Sequence, residues 1–137
     1  MWFKNLQLYR LPIPWKMDLA KLDEQLQRGI FARCPGHQPM SKGWVSPRQD
    51  GTLVYSLNNQ WLLALTTEQR LLPASVINDE VKERAAALTE TQGYAPGRRQ
   101  LKELKERVTD ELMPRAFTRR RTTFAWIDPK NGWLVID

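Results

Sequence analysis

With a single cysteine, Cys34, the chain has no internal disulfide open to it, which fits a reducing compartment. No stretch approaches the roughly 20 apolar residues of a spanning helix. The 26% of charged residues is also too polar for lipid, so a membrane class is excluded. The opening MWFKNLQLYRLPIPW sets Lys4 and Arg10 inside an apolar stretch, unlike a secretory leader, and the expected location is the cytoplasm. Histidine is equally scarce. Cys34-Pro-Gly-His37 is the one place where thiol and imidazole approach each other in sequence. A metal site needs two further ligands and a Cys–His nucleophile needs an orienting group; neither stands at a suitable spacing, and loop packing is the expected role. Gly93 to Gly97 lacks the Lys-Ser or Lys-Thr of a phosphate-binding loop.

Positive charge is what the chain has. Lys and Arg number 21 against 15 Asp and Glu, a formal charge of +6 with a pI near 9.8. It is unevenly placed: residues 1–96 carry net +2, residues 97–121 net +5 and the last sixteen net −1. A focused cationic segment favours a polyanionic partner.

The residue pattern predicts one α+β domain over 1–137, an antiparallel sheet (a meander plus a C-terminal hairpin) packed with two or three helices. A strand is expected from Trp2 to Leu11, ended by Pro12 and Pro14. Asp18 caps a helix with Leu19, Leu22 and Leu26 on one face and Gly29 at its end. Residues 33–50 read as a loop with at most a short strand around Trp44 and Val45. Gly51 to Leu57 and Gln60 to Thr67 form a hairpin through Asn58 and Asn59, which tolerate positive φ. Pro73 and Ser75 open a helix striped by Ile77, Val81, Ala85 and Leu88 and stopped at Gly93. A second helix runs from Arg98 to about Met113, striped by Leu101, Leu104, Val108 and Leu112 and stopped by Pro114. Residues 117–127 are a long strand, 128–132 a turn, and Trp133 to Ile136 an apolar strand suited to the middle of a sheet with both faces covered. The chain then ends, so more chain or a partner is expected there.

On the second helix Arg98, Lys102 and Lys105 fall within about 60° beside the leucine stripe, while Glu103, Glu106 and Asp110 take another flank. Such a row can follow a phosphate backbone; the alternative is a solvated face with Lys102 and Glu106 paired. In the following strand Phe117, Arg119, Arg121 and Thr123 project to one side and Thr118, Arg120, Thr122, Phe124 and Trp126 to the other. Three consecutive arginines therefore put guanidinium groups on both faces. Phosphates, carboxylates of a second subunit, or solvent at a protected edge are the candidate acceptors. No zinc finger, recognition helix or aromatic platform suited to reading bases appears. Trp2, Trp61, Trp126 and Trp133 read as core, with Trp15 and Trp44 as weak stacking candidates. Asp18, Asp23, Glu24, Asp79, Glu80 and Glu83 lie at helix starts and on helix faces, where they suit the macrodipole better than a two-metal nuclease. No catalysis, metal or cofactor is expected.

Five stretches, MWFKNLQLYRL, GWVSP (43–47), LLPASVIN (71–78), LKERVTDELMPRAFTRRRTTFAWID (104–128) and NGWLVID (131–137), together resemble the N-terminal part of the RdgC family, bacterial recombination-associated proteins about twice this length. The resemblance implies a nucleoid-associated, sequence-independent DNA-binding protein. It would form a homodimeric ring around double-stranded DNA and restrain RecA-dependent recombination by occupying the DNA. Carried over by position, Phe117 falls near a subunit contact, and Arg115 with Arg119, Arg120 and Arg121 near the DNA-facing surface. Together with Arg98, Arg99, Lys102 and Lys105 these are the expected DNA-binding residues of the basic segment 97–121. Single-stranded DNA remains a possible ligand, and the rival reading is a protein-interaction module whose basic strand docks on an acidic partner.

Overall fold

A computed structural model of the chain describes residues 4–48 and 50–137. In chain order the elements are β1 (Gln7–Arg10), α1 (Leu19–Gln27), β2 (Met40–Val45), β3 (Tyr55–Leu57), β4 (Gln60–Leu71), α2 (Ala74–Gln92), α3 (Arg98–Leu112), a 3-10 turn over Met113–Arg115, β5 (Phe117–Asp128) and β6 (Trp133–Ile136). The six strands make one sheet in the order β1-β6-β5-β4-β2, with β3 paired to β4, so the fold is α+β as expected. The residues separate into two compact units, one of residues up to Arg33, Ser41–Glu68 and Arg120–Asp137, the other of Cys34–Met40 and Gln69–Arg119. Among the described residues no helix is long and apolar enough to cross a membrane.

In the first unit the hairpin forms as its turn chemistry dictates. Asn58 and Asn59 take φ of 50° and 61°, the left-handed region that asparagine tolerates, and set Leu57 opposite Gln60. Antiparallel register then places Leu134 of β6 between Tyr9 and Ile127, and Val135 between Leu8 and Trp126. The two-residue period sends Trp61, Leu63, Ala125, Ile127 and Leu134 to one face, where they meet Leu22 and Leu26 of α1. The Asp18 carboxylate caps α1 by accepting from the Lys21 amide at 2.8 Å. Trp15 lies 5.3 Å from the Trp61 ring and Trp44 packs on the same core, so both weak stacking candidates are packing residues.

Three expectations change. The first strand begins at Gln7, and Trp2, its expected start, lies outside the described residues. A six-residue β2 stands where a loop with at most a short strand around Trp44 and Val45 was expected; it lies beside β4 in the sheet, and Trp44 also exchanges backbone hydrogen bonds with Gly29 and Phe31. A Cβ at Gly43 would sit 2.4 Å from the Phe31 Cα, so glycine alone admits that approach. β6 is central in pairing, yet only Val135 is buried; Trp133, Leu134 and Ile136 keep partial exposure.

In the second unit α2 and α3 pack through Ile77, Leu104 and Val108, flanked by Val81, Ala85 and Leu112. Gly93 ends α2 at φ +81°, its amide donating to the Thr89 carbonyl. Leu88 and Leu101 of the expected stripes stay exposed, both toward the connection at 93–97. The Arg84 guanidinium spans Glu80 and Glu111 at 2.7 Å each, joining the helices. Its hydrogen bond holds the Glu111 carboxyl below the usual range, helped by the charges of Arg107 and Arg115.

The β5–β6 turn is built on the buried Asp128. Its carboxylate accepts from the Asn131 side chain at 2.7 Å and from the Asn131 and Lys130 amides at 3.0 and 3.1 Å, which lowers its pKa. A depressed carboxyl stabilises the fold above its unfolded pKa of about 3.9 and loses that contribution as pH falls through the folded value. Thermal melts of the chain should therefore be steady from about pH 5 to 7 and decline below about pH 4. Asp128→Asn should melt lower at pH 7 and decline less steeply in acid; a parallel pH profile would remove Asp128 from this role.

Candidate nucleic-acid interface

Strand alternation sorts the three arginines of β5. On the Thr122 side, Thr66 and Thr122 hydroxyls meet at 2.9 Å across β4 and β5. Two residues along on each strand, Arg120 Nε donates to Glu68 Oε1 at 2.7 Å. The Glu68 side chain is 4% exposed and that of Arg120 48%, and the guanidinium also lies 5.2 Å from the Phe31 ring centre. Arg120 thus neutralises a buried carboxylate, and its charge is partly engaged within the fold. Arg119 and Arg121 occupy the opposite side of the strand and are exposed. The residue missed by sequence reasoning is Glu68; its only signal is a lone acid inside the β-rich run 60–71.

The helical cations are exposed as well. Arg98, Lys102 and Lys105 share one face of α3. Arg99 pairs with Glu103 at 2.9 Å and Lys102 with Glu106 at 3.9 Å, both exposed i, i+4 pairs worth a few tenths of a kcal/mol at most. Those pairs weaken the field of Arg99 and Lys102 but are easily exchanged for a stronger anion. Arg115 is exposed on the 3-10 turn Met113–Arg115, and Phe117 opens β5 with 85% of its surface in solvent.

Several acidic side chains are engaged within the fold. Asp23 accepts from the Leu53 amide at 3.2 Å, Glu24 pairs with Arg28 at 3.6 Å, and Glu80 holds Arg84. Among the described residues no group of three His, Cys, Asp or Glu side chains gathers as a metal site would require. The Cys34 thiol donates to the Gln38 carbonyl at 2.9 Å, closing its loop, while His37 is exposed.

The two kinds of arginine separate experimentally. Arg120→Ala removes the 2.7 Å ion pair to the buried Glu68 and should cost roughly 1–2 kcal/mol in a urea melt, the half-exposed guanidinium keeping the loss below that of a fully buried pair. Arg119→Ala and Arg121→Ala should stay within about 0.5 kcal/mol of the parent. Equal losses at all three positions would contradict this division.

A family model described as "Putative exonuclease, RdgC" matches residues 1–137. The recombination-associated protein RdgC of Dechloromonas aromatica is 73% identical over 137 residues, all of this chain and 45% of that one. The protein of the same name from Herminiimonas arsenicoxydans is 56% identical, again over all of this chain and 46% of its own length. That of Burkholderia cenocepacia is 55% identical over all of this chain and 45% of its own. The chain spans a little under half the length of the curated relatives it matches.

Proposed function

The chain belongs to the RdgC family of recombination-associated proteins, and from that premise we propose that it binds double-stranded DNA without sequence preference through the segment 97–121. The observation that carries this reading is the exposed pair Arg119 and Arg121, side by side on one face of β5. Successive same-side positions on a strand are about 6.6–6.8 Å apart, close to the spacing of phosphates along one DNA strand. Arg115 before them, and the Arg98, Lys102 and Lys105 row, extend the supply of phosphate-seeking donors. The Thr123 hydroxyl, on the same side of β5, adds a contact that positions without reading bases.

On this reading the same surface would serve a homodimer that encloses duplex, with the exposed Phe117 at the contact between copies. Individual phosphate contacts are weak at physiological salt, whereas an encircled duplex leaves only when an interface opens. Held in that way at the nucleoid, the protein would restrain RecA by occupying its substrate. The reading assigns no catalysis to the chain, so plasmid incubated with it and Mg²⁺ or Mn²⁺ should remain intact; released nucleotides would establish a nuclease instead.

Titration of a labelled duplex against potassium chloride tests the binding directly. Log affinity should fall linearly with log salt, by about 0.9 for each phosphate neutralised, and Arg119→Ala with Arg121→Ala should flatten the slope by up to about 1.8. An unaltered slope in the double variant would move the site off β5. Binding that appears only through an added acidic protein would favour the docking-module reading.

A further inference from the structure

Arg70 makes an unusual set of contacts for a residue near the end of a strand. Its Nη1 donates to the carbonyls of Pro114 and Ala116 at 3.1 and 3.2 Å, and its Nη2 reaches those of Cys34 and Pro35 at 3.4 Å each. Its own amide donates to Pro39 at 2.8 Å. One guanidinium therefore ties two segments distant in sequence, the 34–39 loop and the 114–116 turn. The Nε–H is buried without an acceptor among the described residues.

The two shorter bonds bracket Arg115. Pro114 and Ala116 are its chain neighbours, so with both carbonyls held, the peptide planes that launch the Arg115 side chain and lead into Phe117 have little rotational freedom. The Ala116 amide closes the same turn on the Met113 carbonyl at 3.2 Å. We propose that Arg70 is a positioning residue which, through this fork of carbonyl bonds, aims Arg115 at a DNA phosphate and Phe117 outward; the proposal rests on the DNA-binding reading above. A lysine at this place keeps the charge but supplies a single point of donation, which cannot span two segments.

Arg70→Lys and Arg70→Gln, each alone and combined with Arg115→Ala, test this in the whole 137-residue chain. Anisotropy of a labelled duplex is read against potassium chloride, below the melting temperature of every variant by circular dichroism. Arg70→Lys should lose about 0.9 of the salt slope, as Arg115→Ala does, and the combination should lose no more than either alone. Limited trypsin digestion followed by mass spectrometry should show faster cleavage after Arg115 in both Arg70 variants. A wild-type slope in Arg70→Lys, with loss only in Arg70→Gln, would mean that Arg70 acts by charge alone. Fully additive losses would mean that Arg70 touches phosphate itself, and unchanged cleavage after Arg115 would mean that it fixes nothing there; each overturns the proposal. A parent chain without salt-dependent binding would instead sink the DNA reading, while the digestion still reports whether Arg70 holds the turn.

Discussion

A β-strand cannot put consecutive side chains on the same face, and the surface chemistry of this protein follows from that constraint acting on Arg119, Arg120 and Arg121. Of the two resulting faces, one meets β4 residues that include a buried carboxylate, Glu68, at 2.7 Å from Arg120. The pair leaves Arg119 and Arg121 together on the other face without a like-charged neighbour between them. A helix carrying the same three residues would have spread them over about 200° and separated structural from surface arginines less cleanly.

The same economy governs the rest of the segment. Carboxylates are placed where a guanidinium or amide needs one: Glu111 and Glu80 on Arg84, Asp128 in its own turn, Asp18 at a helix start. What is left exposed in 97–121 is predominantly cationic. Its aromatic member, Phe117, stands in solvent at the start of β5, where a core residue would be buried. Arg115 and Phe117 thus stand exposed two residues apart where the 3-10 turn passes into β5.

Most elements were legible because their signals are local. Asn58-Asn59, Gly93 and Pro114 mark turns and helix ends by backbone preference and Asp18 by its capping carboxylate, and each does so in the fold. β2 was legible only at Trp44 and Val45, since Lys42 and Gly43 have little strand propensity and its pairing with β4 is a contact distant in sequence. The cationic segment was visible as a charge imbalance, but which arginine is structural was hidden. That depends on Glu68, 52 residues away in sequence and brought opposite Arg120 by the pairing of β4 with β5. Arg70 escaped for a similar reason, because its acceptors are main-chain carbonyls that carry no signature in side-chain pattern.

Recognition of the backbone rather than of the bases is tested by a pair of equilibrium titrations with duplexes of equal length and unrelated sequence in one buffer. The two dissociation constants should agree within about twofold, since phosphate contacts carry no sequence information. A tenfold preference for either duplex, on the order of 1.4 kcal/mol, would contradict it.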